Sequence, residues 1–119
     1  MRAWLFSLAA GALFALAGPA AAHAMLARAN PPVGGAVAPA PTELRLQFDE
    51  PVFADMCDVT LEDAAHRAVP LSTLMTGEDD SVVVAQIRAR LSPGVYHVRW
   101  RAVSRDAHTT EGAYVFHVR

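Results

Sequence analysis

The chain has 119 residues, a formal net charge of −2 and five histidines. All ten basic residues are arginine, and no basic patch offers an electrostatic footprint for nucleic acid. The single cysteine, Cys57, excludes an intramolecular disulfide and a cysteine-based zinc site.

The chain opens with Met1-Arg2-Ala3, one positive charge, followed by a run from Trp4 to Leu16 that is apolar apart from Ser7. Gly18-Pro19 and then Ala20-Ala21-Ala22 close it. A charged start, an apolar stretch and an Ala-x-Ala end form a secretory signal. The stretch is shorter than the roughly 20 residues that span a bilayer. We therefore expect an export signal over 1–22, cleavage after Ala22, and a mature domain over 23–119 that is not inserted in a membrane. The 53% hydrophobic fraction is then inflated by the leader. Without Arg2 the domain carries nine basic against twelve acidic residues, a formal net of −3.

Ala24 to Asn30 reads as a short edge strand, and Pro31-Pro32-Val33-Gly34-Gly35 as a turn. Ala36 to Pro41 should be loop. In Glu43 to Phe48 the apolar residues Leu44, Leu46 and Phe48 recur with period two, the pattern of a half-buried strand that Asp49-Glu50-Pro51 ends. Cys57 to Leu61 alternates in the same way, with Cys57 as a small buried hydrophobe. Asp63-Ala64-Ala65-His66 is a turn, and Val69 and Leu71 begin a return strand. After the acidic turn Gly77-Glu78-Asp79-Asp80, the β-branched run Ser81 to Ile87 predicts a strand covered on both faces. Val95 to Val103 sends Tyr96, Val98 and Trp100 to one side and His97, Arg99 and Arg101 to the other. Gly112 to Val118 sends Tyr114, Phe116 and Val118 inward. About seven short strands with regular turn signals and no amphipathic helix after residue 22 predict an all-β fold, a single small antiparallel, Ig-like sandwich. His97 and His117 fall on outward positions of a solvated face, where they could be cross-strand neighbours.

The chemistry gathers at the two ends of the mature chain. Cleavage after Ala22 leaves His23 with a free amine, and its amine nitrogen and imidazole Nδ1 can close a six-membered chelate ring. The loop Ser104-Arg105-Asp106-Ala107-His108 adds a carboxylate and a second imidazole, from Asp106 and His108. Three nitrogens, one carboxylate and no thiolate suit a tetragonal Cu(II), which also leads the divalent affinity order.

Several motifs in order carry a resemblance to a known family. They are His23-Ala24-Met25-Leu26 after the signal, Asn30-Pro31-Pro32-Val33-Gly34, and Leu46-Gln47-Phe48-Asp49-Glu50-Pro51-Val52. Gly94-Val95-Tyr96-His97-Val98-Arg99-Trp100-Arg101, then Val103-Ser104-Arg105-Asp106-Ala107-His108, then Gly112 and Phe116 complete the set. Over 23–119 the chain resembles the CopC-type periplasmic copper-binding proteins. The resemblance implies a Greek-key β-barrel or sandwich in the periplasm. It implies one Cu(II) per chain on His23, Asp106 and His108, with Glu50 close by but outside the direct ligands. It also implies delivery to a CopD-like membrane protein, and we expect a monomer.

Two departures stand out. The family motif Asp-Gly-His-Pro here has Ala107 for glycine and Thr109 for proline, and an alanine resists a positive φ if the glycine supplied one. Some members carry a methionine-rich segment that holds Cu(I). Here Met25, Met56 and Met75 are scattered, so we expect them to fill the core and expect no Cu(I) site. The leading function is a non-enzymatic Cu(II) carrier or buffer in copper homeostasis or resistance. The alternatives are a copper monooxygenase built on an N-terminal histidine chelate, for which the chain looks too short, and a sandwich without metal.

Overall fold

A computed structural model describes residues 24–119. The expected export signal and His23 lie outside the described residues. The nine strands are β1 (Leu26–Asn30), β2 (Ala36–Val37), β3 (Glu43–Phe48), β4 (Asp58–Asp63), β5 (Ala68–Val69), β6 (Met75–Thr76), β7 (Val82–Gln86), β8 (Gly94–Val103) and β9 (Thr109–Val118). They form a four-stranded sheet, β1-β3-β7-β6, facing a five-stranded sheet, β2-β9-β8-β4-β5. The chain passes repeatedly from one sheet to the other, the connectivity of a Greek-key sandwich.

The excess over about seven strands comes from β2 and β6, each of two residues. The stretch Ala36 to Pro41 corrects the expectation of a loop, because Ala36 and Val37 pair with His117 and Val118. That pairing is parallel, so the sandwich is not wholly antiparallel. Two residues beside Pro39 are too few to show a period, and their partner lies at the far end of the chain.

Alternation places the core as expected. Leu44, Leu46 and Phe48 of β3 are buried, as are Tyr96, Val98, Trp100 and Ala102 of β8, and Tyr114, Phe116 and Val118 of β9. Phe48 meets Trp100 edge-on across the sheets, with ring centroids 5.2 Å apart, a contact worth about 0.5–1.5 kcal/mol beyond area burial. Gly112 sits opposite Trp100 in the β8–β9 ladder. A Cβ there would come within 2.4 Å of the indole, so a glycine is needed for the tryptophan to lie inward. In β7 the residues Val82 to Ala85 are all buried, as a run covered on both faces should be.

One expectation fails. Met25, Met56 and Met75 are exposed by 55%, 52% and 45%, so none fills the core. Met25 precedes β1, Met56 ends a one-turn 3₁₀ helix over Ala54–Met56, and Met75 opens an edge strand. None belongs to an inward-alternating run. His97 and His117 are diagonal rather than direct cross-strand neighbours: His97 faces Val115, and His117 faces Val95. His97 stacks instead on His66, with ring centroids 5.2 Å apart.

Candidate metal centre

The ladder of β8 and β9 ends at Val103–Thr109, leaving the five-residue loop 104–108. The loop closes on itself, because Ala107 N–H donates to the Ser104 carbonyl at 2.9 Å and Ser104 N–H to the His108 carbonyl at 2.9 Å. Ala107 completes the turn at φ 68°, the left-handed region that favours glycine.

Within this loop Asp106 and His108 come together. His108 Nδ1 lies 2.8 Å from Asp106 Oδ2. The Ser104 hydroxyl donates to Asp106 Oδ1, and the His108 N–H donates to the same oxygen at 3.3 Å. Led by the Ser104 hydrogen bond and then by His108, these donors hold the Asp106 carboxyl down at about 2, from 3.8. The group is therefore an anion at any physiological pH. Asp106 and His108 are exposed, whereas Ser104 beneath them is only 1% exposed. The arrangement is an accessible carboxylate–imidazole pair on a buried hydroxyl support.

The loop is tied to its neighbours. Arg105 N–H donates to the Pro51 carbonyl at 3.3 Å, its guanidinium meets Asp80 at 2.6 Å, and it lies 4.7 Å over the Phe53 ring. Val52 bridges Ser104. Glu50 is half-buried on the segment leading to Pro51. Its carboxylate has no hydrogen bond to Asp106 or His108 among the described residues.

The first described residues are fixed against β9 and the end of β3. Ala24 is 1% exposed, and its carbonyl accepts a hydrogen bond from the Thr110 hydroxyl at 2.6 Å. Met25 N–H donates to Asp49 Oδ1 at 2.8 Å, and Asp49 N–H returns a bond to the Met25 carbonyl at 2.9 Å. Ala24 is therefore tethered to Thr110, two residues past His108.

The model of the CopC domain family matches residues 26–119. The chain belongs to the CopC family. A copper resistance protein C from Escherichia coli is 32% identical over 119 residues, covering 94% of each chain. Among solved structures, PcoC, a methionine-rich copper resistance protein from Escherichia coli, superposes with a TM-score of 0.75 at 33% identity, over 82% of this chain and all of that one. CopC from Methylosinus trichosporium OB3b gives 0.74 at 27% identity, over 81% and 93% of the two chains.

Within this CopC fold, Ser104, Arg105 and Thr110 are the residues that sequence reasoning did not single out. Ser104 sits two residues before Asp106, a spacing at which a serine and an aspartate readily share a turn. Nothing local could have paired Thr110 with Ala24, 86 residues away.

Proposed function

We propose that the protein is a periplasmic Cu(II) carrier or buffer in copper homeostasis or resistance, without an enzymatic activity. The observation that carries this reading is the 2.8 Å pairing of Asp106 and His108. Two donors on one metal at bonds of about 2.0 Å and an angle near 90° are separated by about 2.8 Å. Copper can thus replace the proton that the carboxylate and imidazole share, with little loop movement. Family membership and the names of the copper resistance proteins supply the metal.

The third and fourth donors are the amine and imidazole of His23, once a signal over 1–22 has been removed. What supports this is the anchor that Thr110, two residues past His108, provides for Ala24. Four such donors, all hard or borderline, favour a tetragonal Cu(II) over Cu(I). Glu50, half-buried on the segment that Arg105 clasps, would tune the field around the ion without binding it. An exported monomer of this kind holds copper until a CopD-like membrane protein accepts it.

The test is a competition titration with Cu(II) on protein that begins at His23, paired with protein carrying one extra residue in front. The first should take one equivalent. The second should bind at least tenfold more weakly, because its His23 nitrogen is an amide, and its electron paramagnetic resonance spectrum should change. Asp106→Ala and His108→Ala should each weaken binding. Equal affinities and spectra for all four proteins would refute the site. Peroxide-dependent turnover of chitin or cellulose would instead support the monooxygenase reading.

A further inference from the structure

The outer face of the five-stranded sheet holds a second group of metal-ligating side chains. Glu62 of β4 and His97 of β8 are direct cross-strand partners, and both project away from the core. The chain then turns at Asp63-Ala64-Ala65 and brings His66 back over the same patch at φ 60°. His66 stacks on His97 at 5.2 Å with an angle of 29° between the rings. Its Nδ1 lies 3.2 Å from Glu62 Oε2. The His97 side chain and the Asp106/His108 loop lie at opposite ends of β8. Six residues separate His97 from the end of that strand, a rise of about 20 Å.

We propose that His66 and His97 form a second, weaker Cu(II) site, with Glu62 as the residue that positions His66. A metal-bound histidine typically donates its other ring N–H to a carboxylate, which fixes the tautomer and aims the ring. Glu62 lies against His66 Nδ1, so in the tautomer that donates to this carboxylate Nε2 keeps the lone pair. Two imidazoles on one ion, with metal–nitrogen bonds of about 2.1 Å and an open angle between them, place their ring centroids about 5 Å apart. The observed separation is 5.2 Å. Among the described residues no three ligating groups already converge. The site is accordingly a two-histidine one, completed by water and made by a turn of two solvent-facing rings. Copper(II) is the ion expected, since imidazole suits it and it leads the divalent order. His117 shares this outward face without a histidine directly opposite, and provides the control.

The experiment follows Cu(II) titration of the protein beginning at His23 past the first equivalent, by isothermal calorimetry and by paramagnetic broadening of the histidine ring signals in NMR. A second equivalent should bind, broadening His66 and His97 before His117. His66→Asn, which tolerates the positive φ, and His97→Gln should each weaken that step at least tenfold. Glu62→Gln should weaken it about tenfold, and His117→Ala should leave it unchanged. The second step should persist in Asp106→Ala and His108→Ala proteins, so it can be judged even if the first site is misassigned. The proposal is overturned if no second equivalent binds, if the His66 and His97 variants bind it as well as the parent, or if broadening centres on His117.

Discussion

At the scale of single residues, the metal loop shows a conflict between side chain and backbone. Ala107 holds φ 68° between the two candidate ligands, and an L-residue in that region is strained by about 1–2 kcal/mol. Ala107→Gly removes the strain but widens the freedom of the unfolded chain, which offsets part of the gain. The expected net is a stabilisation of up to about 1 kcal/mol, read from chemical denaturation. Copper affinity should be unchanged or higher, since neither ligand is altered. A destabilised variant would mean that the Ala107 methyl makes contacts outweighing its backbone cost. The motif comparison identified this position as a departure from glycine. The structure adds that the backbone does take the conformation glycine prefers.

At the scale of elements, carboxylates build the turns. Asp63 Oδ1 accepts from the N–H groups of Ala65 and Arg67, both at 2.9 Å, and Oδ2 accepts from Arg67 Nε at 3.0 Å. The Arg67 backbone bond is the main cause that holds its carboxyl below the usual range. In the β6–β7 turn Asp79 is lowered by Ser81, first through its hydroxyl and then through its N–H. A carboxyl depressed in the folded state contributes stability that is present above its unfolded value, about 3.9, and lost as pH falls through the lower folded value. Both turns should therefore loosen in acid below about pH 4. Amide hydrogen exchange at Ala65, Arg67 and Ser81 should report it, and Asp63→Asn should abolish the acid dependence in the β4–β5 turn alone. Undiminished protection in the parent at pH 3 would show that backbone bonds suffice. The same scale explains what was legible beforehand. β3, β8 and the later part of β9 declare themselves because one face meets the core and the other meets water. β2 is too short for a period, and the first residues of β9 are polar, so the strand reads as starting at Gly112. The exposed methionines were misplaced because composition carries no register. The His66–His97 contact depends on a turn that folds one element over another.

At the scale of the molecule, the proposed copper site would draw on both sheets. The segment of Ala24 and Met25 leads into β1 of the four-stranded sheet, while Asp106 and His108 lie between β8 and β9 of the other. Among the described residues, the bond from the Thr110 hydroxyl to the Ala24 carbonyl, 2.6 Å long, ties the first segment to β9 just past this loop. Thr110 is half-buried opposite Ala102, and its hydroxyl acts by holding the Ala24 carbonyl. Thr110→Val keeps the shape, removes the donor and leaves a carbonyl buried without it, a loss of about 1–3 kcal/mol. If copper bridges the sheets, it should also stabilise the fold by binding the native state alone, by about 2.7 kcal/mol at a hundredfold excess over Kd. For a domain of this size that is a rise in Tm of about 10–20 °C, at roughly 4–8 °C per kcal/mol. The expected outcome is a lower Tm for metal-free Thr110→Val and a smaller copper-dependent rise than in the parent. The second effect follows because His23 must be ordered by the metal rather than delivered by its neighbour. Differential scanning calorimetry on both proteins beginning at His23, with and without Cu(II), measures the two quantities together. An unchanged copper-dependent rise in the variant would show that the Ala24 anchor does not set the geometry of binding, and would detach the N-terminal segment from the site.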